Sequence, residues 1–277
     1  MLQKYDKVIT ATALAFAALS GTATAGSADS KLDCDLTNGF ASGSAAYTAE
    51  ANACQASAQA PALRRDIADG IRLLSERHRA KFDLAPLAQR ASLDAAAQAH
   101  AQDMAARAYA SHTDPEGRGH LHRVRMLDRS LLVGAAGANV AALKTNDAST
   151  VFTALTSDLQ NMENLTRGMF SHMGVGVAEG SDGLLYVAQV FVQVDGELNA
   201  PLPNALPPIA DIQARFVEAG FRPVGWTLED RNGDMIDRGL GRRVIADLDT
   251  SDNAYLTIKV DLNGDVYSLR GPAVSGR

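Results

Sequence analysis

Ser111-His112-Thr113-Asp114-Pro115-Glu116-Gly117-Arg118 and Phe170-Ser171-His172-Met173-Gly174-Val175-Gly176-Val177 are the stretches on which the reading of this chain turns. Each is a turn of small residues carrying one histidine beside apolar material. The first leads into a polar, basic loop that runs to Arg129. The second opens a strand-like run, Met173 to Ala178. Ser181-Asp182-Gly183 then turns the chain, and Leu185 to Val194 returns as a strong β-run, which together is a hairpin signal.

Working outward, Pro61 precedes a long helical pattern in which Ile67, Ile71, Leu74 and His78 recur at three to four residues and share one face. Phe82 to Leu87, with Pro86, breaks it. A second helix starts near Ser92, with Leu93, Ala97, Ala101, Met104, Ala105 and Ala108 at helical spacing. Its small residues suit close packing against a neighbouring element. Gly137 to Ala142 reads as a short strand. Asn146-Asp147 reads as a helix N-cap leading a helical segment through about Thr166. Pro201, Pro203, Pro207 and Pro208 make a stiff connector. Beyond it, Ile209, Ile212, Phe216 and Val217 mark a short amphipathic helix ending at Gly220. The remainder is β. Asn232-Gly233 and Asn263-Gly264 are type I′ hairpin signals, and Leu256, Ile258 and Val260 alternate with polar neighbours as a half-buried strand does. These periodicities alone define a mixed α and β chain.

The N-terminus reads as an export signal. Lys4 and Lys7 supply the positive start, Val8 to Leu19 the apolar run, and Ala23-Thr24-Ala25 the small-residue cleavage site, so the mature chain is expected to begin at Gly26. The run is too short to span a bilayer comfortably and no second one follows, so no stable membrane insertion is expected after cleavage. Residues 26–60, rich in Ala, Ser, Gly, Thr and Asn, read as a flexible lead. Export lets the only two cysteines, Cys34 and Cys54, pair across this lead. Closing such a loop stabilises by about 3 kcal/mol in the chain-entropy model. The net charge is −6, and loss of Lys4, Lys7 and Asp6 with the signal makes the remainder more acidic. This acidic balance argues against nucleic acid and anionic membrane as general partners.

Five motifs in order resemble the CAP superfamily of secreted proteins, in its bacterial, SCP-like branch. His100-Ala101-Gln102-Asp103-Met104-Ala105 matches an Ala-rich helix end. Ser111 to Arg123 matches a turn of the form S-H-x-D-x-x-G-x-x-x-x-x-R. Gly137-Ala138-Asn139 stands where G-E-N is usual. Leu155 to Leu165 follows the pattern W-x-x-S/E-x-x-H-R-x-N-I/L, and Phe170 to Val177 that of F-T-H-x-G-V-G-V. The resemblance covers residues 64–196. It implies an α/β fold, a three-layer α-β-α sandwich, at 61–200, after a signal at 1–25 and the disulfide-stapled lead at 26–60. A helix-plus-β-hairpins module of no recognised family follows at 209–277.

Many members of that family carry two histidines and two acids in a cleft. By resemblance, His112 is the first histidine and Asp158 one acid, whereas Ala138 replaces the other acid and Asn161 the second histidine. Zinc wants three or four N, O or S ligands. Ala138 offers none and Asn161 only an amide oxygen, so no metal, cofactor or catalytic residue is assigned. His112, Asn139, Asp158 and Asn161 remain as cleft candidates. Each also has a plain reading. His112 can bond a carbonyl in its turn, Asn139 local backbone, and Asp158 can be a solvated charge late in a helix. His120 and His122 read as exposed loop residues, and His100 and His172 as structural ones. Asp230-x-Asn232-x-Asp234 and Asp261-x-Asn263-x-Asp265 begin like calcium loops, but the twelfth positions are Gly241 and Pro272, not Glu. The function expected is a secreted or periplasmic, non-enzymatic binding module for a lipid, an apolar small molecule or an envelope or extracellular protein. The alternatives are a weak hydrolase or peptidase using His112 and Asp158, and a structural envelope protein.

Overall fold

The computed structural model describes residues 34–246, 248 and 253–276. The expected export signal lies outside the described residues. The segment from Cys34 to Ala60 is more ordered than a flexible lead. Helix α1 (Ser44–Ala56) buries Ser44, Tyr47, Ala51 and Cys54, a spacing of three and four. That period is hard to read in sequence because small residues give it little hydrophobic contrast. The Phe40 ring packs on Tyr47, and Cys34 and Cys54 are joined in a disulfide.

Strand β1 (Ala62–Leu63) leads into α2 (Arg65–Ala80). The buried face of α2 carries Ile67 and Ile71 as expected, but continues through Ser75 and Arg79, with Leu74 and His78 only half buried. Arg79 is enclosed because it donates to the carbonyls of Ala85 and Leu165. After β2 (Ala88–Gln89) come α3 (Ala91–Arg107), α4 (His120–Leu127) and β3 (Leu131–Leu143). Asp147 caps α5 (Ala148–Ser157) by accepting from Thr150 N at 2.9 Å. The single helix expected through Thr166 is broken at Asp158, whose carboxylate accepts from Asn161 N and starts α6 (Leu159–Thr166). β4 (His172–Glu179) and β5 (Leu185–Leu198) form the expected antiparallel hairpin.

β4, β5 and β3 lie side by side at the centre of one sheet. One face packs on α2, α5 and α6 through a core that includes Ile71, Leu155, Val175 and Phe191. The other packs on α3 and α4 through Leu93, Ala97, Val124 and Val190. This is the three-layer α-β-α sandwich.

The remaining strands are β6 (Ile209–Asp211), β7 (Ala214–Phe216), β8 (Arg222–Glu229), β9 (Met235–Leu240), β10 (Arg243–Ile245), β11 (Ala254–Leu262) and β12 (Asp265–Val274). The short helix expected from Ile209 to Gly220 is absent. β6 pairs with β10 and β7 with β5. The apolar positions there follow a period of two, with Ala210 and Ile212 buried and Ile209 exposed, and Pro207-Pro208 favours extended backbone ahead of them. β12 continues the central sheet beside β3, with Arg270 opposite Val133, and the order runs β3-β12-β11-β8-β9. Arg125 of α4 reinforces this junction by donating to the carbonyls of Gly271 and Leu256.

The two Asn-Gly turns differ. Asn263 and Gly264 both have positive φ, 56° and 95°, as a type I′ turn requires. In the other, Gly233 is left-handed but Asn232 is not. Asp230 accepts through its side chain from Asn232 N and Asp234 N, which holds one extra residue in the loop. Gly264→Val is therefore expected to lower stability by about 1 kcal/mol or more, since a β-branched residue is strained at that φ. A urea midpoint equal to that of the wild type would contradict this.

Candidate functional site

Only the start of β3 pairs with β12, so the edge of β3 around Ala138 has no strand beside it among the described residues. α6 lies against one face of β3 and α4 against the other. Asn139 of β3 meets α6 here by donating to Asn161 O.

His112 is exposed. Its carbonyl rather than its ring anchors the turn, accepting from Arg123 Nη2 at 2.8 Å. Partial burial and the Arg123 charge push the His112 imidazole pKa down, while Asp158 pulls it up. Asp158 is exposed at the start of α6. Its carboxylate is already engaged as the α6 N-cap.

Asn139 and Asn161 point to different work. Asn139 is 1% exposed. Its amide donates to Asn161 O and Gln189 Oε1, both at 3.1 Å, and accepts from Asn164 Nδ2. Asn164 also donates to Ala138 O at 3.0 Å, and Gln189 to Ser75 Oγ. This closed network of amides spends their hydrogen-bonding capacity on holding α2, α6, β3 and β5 together, as buried polar groups require. Gly137 belongs to it, because a Cβ there would lie 2.8 Å from Asn164 Oδ1. Sequence reasoning passed over Asn164 and Gln189 as site builders. The signals were present: Asn164 closes the motif that includes Asn161, and Gln189 interrupts an apolar β-run.

The other histidines divide. His100 is buried and donates from Nε2 to Ser111 O at 2.7 Å, fixing the base of the His112 turn. His122 accepts from Gly119 N and donates to Arg231 O, facing the C-terminal strands rather than His112. His172 is bonded by Ser171. His120, expected to be an exposed loop residue, instead opens α4 and is half buried. Burial, with Arg123, His112 and His122 nearby, pushes its pKa down to about 4.

That shift has a sign. Between pH 6.5 and about 4 the unfolded chain takes up a proton that the folded chain refuses, so stability falls as pH falls through this window. His120 alone contributes up to about 3 kcal/mol of this loss. His120→Gln is expected to flatten the fall in stability between pH 7 and pH 4.5, as read by urea denaturation. Equal slopes in the two proteins would rule this out.

Asp103, Asp114 and Glu116 place carboxylate oxygens within 4.8 Å of one another. They are neutralised by Arg107 and Arg118 and bonded by Tyr109, with Arg123 3.6 Å from Asp114. Three acids matched by three guanidinium groups form a structural network and leave no excess charge for a cation.

The sandwich, the open β3 edge and the turn carrying His112 define an α-β-α domain. Residues 74–194 match the model of the Cysteine-rich secretory protein family, and this segment of the chain is a CAP domain. Two solved structures similar to the chain are an outer surface protein from Borrelia burgdorferi and an extracellular protein containing an SCP domain from Bacillus anthracis. The first is 15% identical over 48% of this chain and 98% of its own, with a TM-score of 0.44. The second is 24% identical over 47% of this chain and 41% of its own, with a TM-score of 0.39. No curated protein matches the chain. No helix among the described residues is long and apolar enough to cross a membrane.

The metal that a full set of two histidines and two acids would hold does not suit the residues present. Ala138 has no donor atom, the Asn161 amide is a weak ligand, and Asp158 is committed to capping a helix. No step through a metal follows from this site.

Proposed function

We propose that the chain is an exported CAP-domain protein, periplasmic or secreted, that acts as a non-enzymatic binding module. The observation that carries this reading is the closed amide network. Where a carboxylate and a second imidazole would stand by resemblance, the chain has Ala138 and Asn161, whose carbonyls are tied into the bonded amides of Asn139, Asn164 and Gln189. General acid–base work needs a second group positioned against the histidine, and Asp158, whose Oδ1 caps α6, makes no hydrogen bond to His112. The disulfide between Cys34 and Cys54 supports an oxidising compartment.

Calorimetric titration of zinc into the full chain, beside a panel of esters and peptides, tests this. The expected dissociation constant for zinc is no tighter than about 10 µM, with no turnover on the panel. Stoichiometric tight binding or turnover, abolished by His112→Ala, would overturn the reading in favour of a hydrolase that uses His112 and Asp158.

A further inference from the structure

Among the described residues, most of the exposed large apolar side chains lie in the C-terminal part of the chain, from Ile209 on. Leu240 is 90% exposed and Val266 63%. Both stand on the outer face of the sheet, opposite the core that contains Trp226 and Ile258. α4 covers one end of that outer face, where Arg125 stacks over the Tyr255 ring. Beyond Thr257 no element covers it among the described residues.

A groove of about 480 Å³ lies in this uncovered part. Its floor is at Gly225, which faces Leu240 on β9 and Lys259 on β11. The floor is built in: a Cβ on Gly225 would come within 2.6 Å of Gly239 O, so the strands are spaced for an absent side chain. Leu240 and Val266 wall the groove and Arg238 and Lys259 flank it. Among the described residues neither cation is in an ion pair, and Lys259 donates only to Ser268 Oγ. Two unneutralised cations around an apolar slot, in a chain of net charge −6, match an anionic ligand that carries an apolar group.

We propose that this face docks an extended acidic segment of a partner protein, seating one apolar side chain over Gly225 between Leu240 and Val266 and setting its carboxylates against Arg238 and Lys259. A slot that admits a single side chain fits an extended segment better than the flat surface of a bilayer. The inference rests on the reading as a binding module and deepens it by naming a surface and a partner chemistry.

The test incubates the full chain on an array of short peptides in which Phe or Leu alternates with Asp or Glu, and on a matched array with Lys in place of the acids. Phosphatidylglycerol vesicles and sedimentation of the chain alone run beside them. The acidic array is expected to retain the chain, the Lys array not, and retention is expected to weaken as salt rises. The exposed Leu240→Ser change and the charge reversal Arg238→Glu plus Lys259→Glu should each weaken binding by about tenfold or more. Four results would each overturn the proposal: retention by neither array or by both equally, retention unaffected by these variants, recovery on the vesicles instead, and self-association that Leu240→Ser abolishes. Turnover or tight zinc binding in the cleft assays would defeat the binding-module reading separately, and the peptide result would stand on its own.

Discussion

Gly176→Val is expected to destabilise the protein by about 4 kcal/mol or more, enough to leave a marginally stable domain largely unfolded. The reason lies in how α3 meets β4. A Cβ on Gly176 would sit 2.3 Å from the carbonyl carbon of Ala97 and from Gln98 N. One on Gly174 would sit 2.2 Å from the backbone of Leu93. These are backbone atoms of a helix and cannot rotate aside as a long side chain does. Two residues along a strand advance about 6.6 Å and four along a helix about 6 Å. Hence the pairs Gly174 with Leu93 and Gly176 with Ala97 stay in step, and Gly180 comes close to Ala105 O in the same way. The helix face that meets them is nearly all alanine and fully buried. A valine at 176 must lift α3 from the sheet and open the core that holds Leu93, Met104 and Val190. Gly43→Ala is the control: its added Cβ meets nothing within 4 Å, and its φ of −72° suits any residue. Urea denaturation followed by circular dichroism reads both. A Gly176→Val midpoint close to that of Gly43→Ala would show that α3 does not bear on β4 as described.

This contact also marks what was legible in the sequence. The small-residue face of α3 and the Gly-Val-Gly-Val strand are each visible, because helix and strand periods show in which residues recur. Their meeting was read only through family resemblance. The hairpin of β4 and β5 and the Asp147 cap came from local chemistry and stand where expected. Asp158 did not, since a capping acid inside a continuous helical pattern looks like one more exposed charge. The strands at Ile209 and Ala214 read as a helix because Ile209, Ile212, Phe216 and Val217 fall at helical spacing, while the period of two rests partly on the small Ala210 and Ala214, and only their pairing with β10 and β5 decides. At the site, His112, Ala138 and Asn161 were marked only through the family resemblance. The amide network stayed hidden because its members, Asn139, Asn164, Gln189 and Ser75, lie far apart in the chain and are joined only by folding. Buried arginines were missed for the same cause, as charge suggests surface until carbonyl partners are known.

Arg118 is the sharpest of those arginines, and Arg118→Met is expected to cost about 3–5 kcal/mol, the usual result of breaking a buried pair from one side. The side chain is 2% exposed. Nε donates to Asp114 Oδ2 at 2.7 Å, Nη1 to the carbonyls of Phe40 and Ala41 at 2.8 and 2.7 Å, and Nη2 to Glu116 at 3.1 Å. The guanidinium also lies over the Tyr47 ring. A methionine fills much of the volume but supplies no donor, leaving two carbonyls and a carboxylate short of partners inside the protein. Lysine keeps the charge without the planar fork, so Arg118→Lys should recover less than half of the loss. Because the pair is buried, the loss should change little with salt, unlike that of a surface pair. Location gives a second readout. Arg118 sits in the turn that carries His112 and reaches across to Phe40 and Ala41, beside α1 and the stapled segment. Limited proteolysis of Arg118→Met should therefore cut first between Cys34 and Ala60, and intact mass after reduction would locate the cut. Loss of stability without that early cleavage would mean that Arg118 supports the CAP domain alone. Early cleavage would show that the segment ahead of the CAP domain is held in place from within the His112 turn.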